Sequence, residues 1–285
     1  MRFAVTILSA LLMGSALQGQ THVDTVRMHL LNPSDGTVLV AAHRGEWRNA
    51  PQNSIQSILD AADEGADIAE IDIRRTLDGE LVLMHNATLS RSTTGWGLVG
   101  LTNFRKLRSL RLKDKDGNVT DMQVPTLEEA LLAAKGRIML NLDKAFDYYP
   151  QILRIARRTG TLDHIIVKSG RSVEEVLKIM GEARDSVIFM PVLHLDNPEE
   201  TRVMQYKLAA FNPCAVEVNF RDSDLITPYL VRTSLAGRAR IWYNDLGTHA
   251  GGFDAGHIVE EFGAGIIQTD YCPELLEMLK EKGYR

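Results

Sequence analysis

Cysteine is almost missing: Cys214 and Cys272 are the only two in 285 residues. A single pair in so long a chain excludes a disulfide framework as the source of the fold, and both are expected to be buried thiols. No block of Lys and Arg interrupts the sequence, and the net charge is -5. That argues against a general nucleic-acid or anionic-membrane binder, so an anionic substrate has to be met by a local arrangement of cations. No apolar run reaches the roughly 18 residues of a spanning helix. The longest, residues 3–12 of MRFAVTILSALLMGSALQGQ, follows one Arg and precedes small and polar residues. This is the layout of a secretory leader over residues 1–20, and an exported protein, periplasmic or secreted, is expected. Neither a Gly-x-Gly-x-x-Gly fingerprint nor a P-loop occurs, which leaves an open, doubly wound sheet without support.

What is present is an ordinary globular composition, 45% hydrophobic and 24% charged, enough to bury a full core. Short apolar, β-branched runs recur at 38–42, 67–73, 137–143, 164–168, 186–190, 215–219, 239–243 and 265–269, with amphipathic stretches between most of them. Eight strands alternating with helices over about 250 residues form the pattern of a (β/α)8 barrel, whose chemistry gathers at the carboxyl ends of the strands. One barrel domain over 36–285 is expected.

A ninth run, LVLMH at 81–85, follows the second strand after only RRTLDGE. That spacing is too short for a parallel crossover, and Asp78-Gly79 is a hairpin-turn dipeptide. With those two residues as the turn, Leu77 faces Glu80, and counting back sets His85 opposite Asp72 on a shared face. Residues 86–125 are far longer than an ordinary βα loop and include RKLRSLRLKDKDG. They are read as an insertion or lid.

The strand ends carry the chemistry. His43-Arg44 ends the first, Glu70-x-Asp72 lies on the second, His85 ends the hairpin, and Asp143-Lys144 ends the third. Residues two apart on a strand point the same way, so Glu70 and Asp72 set two mutually repelling carboxylates at one end of the barrel. A cation resolves the conflict. Three carboxylates without a thiolate favour one hard divalent ion, Ca2+ or Mg2+. A strand-end histidine alone is usually structural; here two His, one Arg and three acids converge on adjacent strand ends.

In order, HRG, PQNS, ExD, TxDG, LVLMHN, LSRSTTG and GIIQTD resemble the glycerophosphodiester phosphodiesterases, a branch of the phospholipase-C-like phosphodiesterase barrels. The resemblance is dense from 40 to 100 and thinner to about 280. It implies that His43 and His85 are the acid-base pair, Arg44 a phosphate ligand, and Glu70, Asp72 and Asp143 the metal carboxylates. It further implies hydrolysis of a glycerophosphodiester to glycerol phosphate and an alcohol, with a lysophospholipid as a variant substrate and a catalytically silent phosphodiester binder as the alternative. The nucleophile, a neighbouring glycerol hydroxyl or water, stays open. Two positions depart from the family pattern: Gln52 stands for Glu and Asn86 for Asp. The family's third acid is followed two positions later by Lys, whereas Asp143 and Lys144 are adjacent and expected to point oppositely. Lys168, ending the next strand, is therefore expected to replace that charge at the phosphate. Glu217, Asn219 and Trp242 are expected to line the alcohol pocket, and His194, His249 and His257 to lie outside the site.

Overall fold

The computed structural model describes residues 20–194, 198–219, 228–246 and 256–285. All of the expected leader except Gln20 lies outside the described residues, as does His249. The strands are β1 (Leu39–Ala42), β2 (Ile68–Arg75), β3 (Leu81–Leu83), β4 (Met139–Asp143), β5 (Ile165–Ser169), β6 (Ile188–His194), β7 (Ala215–Asn219), β8 (Arg240–Asp245) and β9 (Ala264–Thr269). All but β3 are parallel and pair in the order β1-β9-β8-β7-β6-β5-β4-β2. Because β1 also pairs with β2, eight strands close into a barrel. Around it lie α2 (Ile55–Asp63), α4 (Leu127–Ala134), α5 (Tyr149–Thr159), α6 (Val173–Met180), α7 (Pro198–Phe211), α8 (Pro228–Leu235) and α9 (Cys272–Glu281); α1 (His22–Leu31) precedes the barrel and α3 (Phe104–Arg108) sits in the insertion. Capping boxes at Ser54, Thr126 and Ser172 start α2, α4 and α6 by satisfying backbone N–H groups left over in the first turn. Each apolar run named above becomes a strand. The largest shift is at β6, where the apolar character continues through Val192 and Leu193.

Strand alternation decides what the barrel encloses. Along β2, Ala69, Ile71 and Ile73 pack outward under the helices, while Ile68 packs inward with Leu39, Ile166, Ala215 and Ile266. Two positions further along those strands the inward residues turn polar, to Glu70, Lys168, Glu217 and Gln268. The interior is thus an apolar floor under a charged upper layer. Helix α1, for which the sequence reading assigned no element, closes that floor: Val23, Val26 and Leu30 are buried in the same inner cluster. Thr21 and Asp24 form its capping box. Full burial of each such side chain contributes about 1.5–3 kcal/mol. Cys214 and Cys272 are free thiols.

The hairpin forms, in a different register from the one expected. Thr76 N–H donates to Glu80 O at 2.9 Å, so Leu77, Asp78 and Gly79 make a three-residue loop, with Gly79 at φ +93°. Thr76 Oγ1 locks it, donating to Asp78 Oδ1 and accepting from Glu80 N–H. The extra residue slips every pair by one: Ile73 faces Leu83, and Met84 rather than His85 bonds the Asp72 carbonyl, at 2.9 Å. The insertion that follows has its own core, in which Leu89, Val99, Leu107, Leu112 and Val124 pack on Val82 and Met84.

Candidate active site

The charged layer opens into a cavity of about 630 Å³ at the carboxyl ends of the strands. Asp72 and Asp143 are register partners on β2 and β4. Glu70, Asp72 and Asp143 each offer an oxygen within 4.8 Å of the others. Burial, and then the charge of Asp72, pushes the Glu70 carboxyl up to about 8. Burial works in the same direction on Asp143, but Lys168 and Lys144 outweigh it and hold that carboxyl below its usual range. Lys168 Nζ donates to Glu217 Oε2 at 2.8 Å and lies 3.6 Å from Asp143 Oδ1. Burial disfavours its ammonium, yet Glu217, Asp143 and Glu70 hold its pKa above the ordinary lysine value.

Lys144 does not point away, as adjacency on a strand led us to expect. It takes a left-handed backbone, φ +54°, immediately after β4 ends, so the alternation rule no longer applies. Its ammonium bonds Asp72 Oδ1 and, at 3.2 Å, Asp143 Oδ2. The lysine charge therefore comes from Lys144 as well as Lys168.

Arg44 is a second left-handed residue, φ +58°, a conformation that costs a non-glycine residue about 1–3 kcal/mol. The turn sets its N–H on Glu70 Oε2 at 3.1 Å and its Nε 3.8 Å from Asp72 Oδ2, while Nη1 donates to Gln52 Oε1 at 2.8 Å. Asn53 completes the clamp: Nδ2 donates to Asp72 Oδ2 and Oδ1 accepts from Asp72 N–H, at 2.9 and 2.8 Å. Gly45 explains the third letter of HRG. At φ +73°, a Cβ there would lie 2.7 Å from the Ser57 carbonyl carbon and oxygen. Gly45→Ala is expected to destabilise the fold by about 2 kcal/mol or more, read as a lowered urea midpoint; an unchanged midpoint would show that the turn is free to relax.

The two imidazoles have unequal partners. His43 Nδ1 bonds Asp270 Oδ1 at 2.7 Å, and Trp47 Nε1 donates to the same oxygen at 2.7 Å. His85 Nδ1 bonds Asn86 Oδ1, also at 2.7 Å, so the amide that replaces the family's Asp keeps the hydrogen bond and drops the charge. Burial lowers the His85 pKa from 6.5, with Asn86 and Asp72 opposing and Lys144 and Arg44 assisting. His85 reaches this neighbourhood despite the slipped register because the chain has left β3 by then. Arg74 holds the His85 carbonyl through Nε and Nη2 at 3.1 and 2.7 Å.

Glu217 and Asn219 line the cavity; Trp242 does not. It is fully buried in the barrel floor, with Nε1 donating to Asn244 Oδ1 at 3.0 Å. Three residues along β8, Arg240, Trp242 and Asn244, share an inward face, and Asn244 is the one at cavity level, donating to Glu217 Oε1 at 3.1 Å. His194, expected outside the site, lines the cavity rim at the end of β6. Asp270, Trp47, Asn53 and Asn244 carry no role in the sequence analysis, and Lys144 is expected there to face away from the site. Asp270 had a signal: it stands two positions beyond Gln268, on the inward parity of β9.

Residues 43–156 match the Glycerophosphoryl diester phosphodiesterase family. Glycerophosphodiester phosphodiesterase 1 of Mus musculus is 38% identical over 110 residues, 36% of this chain and 32% of that protein. The chain's match spans 23–38% of the length of such curated relatives. Among solved structures, a glycerophosphoryl diester phosphodiesterase from Parabacteroides distasonis superposes with a TM-score of 0.74 at 23% identity, covering 91% of this chain and 92% of that one. A phosphodiesterase from Oleispira antarctica in complex with the product sn-glycerol-3-phosphate gives 0.63 at 18% identity, over 86% and 97%. The family match contains His43, Arg44, Glu70, Asp72, His85 and Asp143, and the barrel likeness extends across 91% of the chain: residues 43–156 are similar to the glycerophosphoryl diester phosphodiesterase family, and the whole takes the barrel fold of the solved structures.

Proposed function

We propose that this chain is a phosphoric diester hydrolase that splits glycerophosphodiesters into glycerol 3-phosphate and an alcohol. The observation that carries the reading is the gathering of Arg44 and two imidazoles of unequal environment around one acidic trio. Glu70, Asp72 and Asp143 would hold one divalent cation, Ca2+ or Mg2+. Their donors are all oxygen, as hard cations require. Four carboxylates, with Glu217, face three cations, Arg44, Lys144 and Lys168, and the proton retained by Glu70 marks the remaining deficit of positive charge. When bound, such an ion neutralises charge on phosphoryl oxygens.

The chain's own groups do the rest. Arg44 offers its guanidinium to the phosphate, a charge-assisted contact. His85, whose pKa burial lowers from 6.5, accepts the proton of the attacking hydroxyl: water gives glycerol 3-phosphate directly, whereas the neighbouring glycerol hydroxyl gives a cyclic phosphate that water then opens. His43, with Nδ1 committed to Asp270, has Nε2 left to donate a proton to the departing alkoxide as the P–O bond breaks. Gln52 and Asn86 keep the hydrogen bonds to Arg44 and His85, so no observation favours a silent binder. Lysophospholipids present the same diester and stand as alternative substrates. Export remains part of the proposal and rests on the 1–20 pattern; no described helix is long and apolar enough to cross a membrane.

The test is product release. Purified protein incubated with glycerophosphocholine, glycerophosphoglycerol and a lysophospholipid is expected to liberate glycerol 3-phosphate, or lysophosphatidate from the lipid. Absence of both from the whole panel with Ca2+ or Mg2+ present would end the hydrolase reading.

A further inference from the structure

A second cleft, of about 310 Å³, lies between the HRG turn and the insertion. It touches the catalytic end at two points. Arg44 lines it while its backbone N–H rests on Glu70, and Trp47 lines it while its indole holds Asp270 behind His43. A group bonded to a phosphate on Arg44 therefore has this cleft as its nearest recess on the insertion side.

Its charge is one-sided. Arg44, Arg91, Lys113 and Lys115 line it against one carboxylate, Asp114. Asp114 is already engaged: Oδ1 accepts from the N–H groups of Asp116 and Asn118, and Oδ2 from Asn118 Nδ2. The partner of Arg44 on this side is the uncharged Gln52 amide, where the family pattern has Glu. Lys113 Nζ donates to the Ser90 carbonyl at 3.1 Å and has no ion pair among the described residues. Arg91 is exposed and makes neither a hydrogen bond nor an ion pair among them. Only Lys115 has a carboxylate, the exposed Asp116 at 2.9 Å. In the main cavity the balance is different: Lys144 is matched by Asp72 and Asp143, Lys168 by Glu217, and Arg171 by Asp147, while Arg74 spends its guanidinium on the His85 carbonyl. Unmatched positive charge is concentrated in the cleft.

We propose that this cleft receives the alcohol half of the substrate and selects alcohols that carry a further anionic group, a phosphate or a carboxylate. This rests on the hydrolase reading and adds to it a substrate class. Arg91 and Lys113 are specificity residues that touch the leaving group and take no part in the proton transfers. A quaternary ammonium alcohol meets like charge there, whereas an anionic one gains charge-assisted hydrogen bonds, each worth about tenfold or more in affinity.

Two measurements test it. The first compares kcat/KM for glycerophosphocholine, glycerophosphoglycerol and glycerophosphoinositol 4-phosphate in the wild type, in Arg91→Glu, and in Arg91→Glu/Lys113→Glu. The wild type is expected to favour the anionic diester by about tenfold, and the double variant to lose about 10–100-fold on that substrate alone, with glycerophosphoglycerol unchanged. Raising ionic strength should erode the preference. The second titrates the same ligands calorimetrically into His43→Ala, with and without Arg91→Glu, and so reads the charge preference without turnover. Preference in binding that Arg91→Glu removes supports the cleft even if no diester is hydrolysed. Hydrolysis with no charge preference, or an equal loss on all three substrates in the single variant, would overturn the assignment and leave the hydrolase reading standing.

Discussion

His43→Ala and His85→Ala are each expected to lower kcat by about 10²–10⁴, the usual size of an acid-base contribution, with much smaller changes in KM. The reason lies in how differently the two rings are held. His43 is fixed by a carboxylate that also accepts from Trp47, so its tautomer and direction are set before substrate arrives. His85 has an amide behind it and a pKa pushed below 6.5, chiefly by burial. The acidic limb of a kcat/KM profile, where the base takes up its proton, should therefore fall below pH 6.5. Asn86→Asp would restore a charge behind the ring, favour its protonated form and move that limb upward. Asp270 is a positioning residue, and Asp270→Asn should cost part of the His43→Ala loss without shifting the His85 limb. Full activity in either alanine variant would remove that imidazole from the reaction.

Stripping the protein with a chelator is expected to abolish turnover, and returning Ca2+ or Mg2+ to restore it, with a pH dependence dictated by Glu70. In the cation-free protein its carboxyl titrates near 8 against 4.5 when unperturbed. The folded chain thus binds more protons than the unfolded one between those values, so stability falls as pH rises. Glu70 contributes fully below about pH 4.5, and that contribution is gone once pH passes about 8. Without cation, Tm should drop by roughly 5–10 °C between pH 5 and 8. With saturating cation the drop should shrink, because a bound dication takes over the role of the proton. Calorimetry in buffers of different ionisation heat should show proton release on cation binding near pH 7, and Glu70→Gln should abolish it. A Tm indifferent to both pH and cation would mean that the trio is an internally balanced ion cluster.

The barrel was readable because its strands are buried on both faces and appear as apolar runs, and because Glu70 and Asp72 sit two apart within one of them. The rules failed where the chain leaves regular structure. Lys144 turns back into the site through a left-handed residue, which no period of two foresees. His85 arrives by a route the pairing count misplaced, since a hydroxyl on Thr76 favours a three-residue loop over the two-residue turn that Asp-Gly suggested. Trp242 was placed one layer too high: strand ends cannot be located to better than a residue or two from sequence, and one inward step along β8 separates floor from cavity. Helix α1 had its signals, Thr21-x-x-Asp24 and apolar residues at 23, 26 and 30, but it lies directly behind the leader-like segment that drew the reading.

The contact between His43 and Asp270 joins positions 227 apart, just past β1 and just past β9, the two strands whose pairing seals the barrel. A nascent chain still short of residue 270 would already carry the acidic trio, yet its first imidazole would have no anchor. Ribosome-bound or prematurely terminated products would therefore lack a held imidazole, and the proposed chemistry would become possible only as the cylinder shuts.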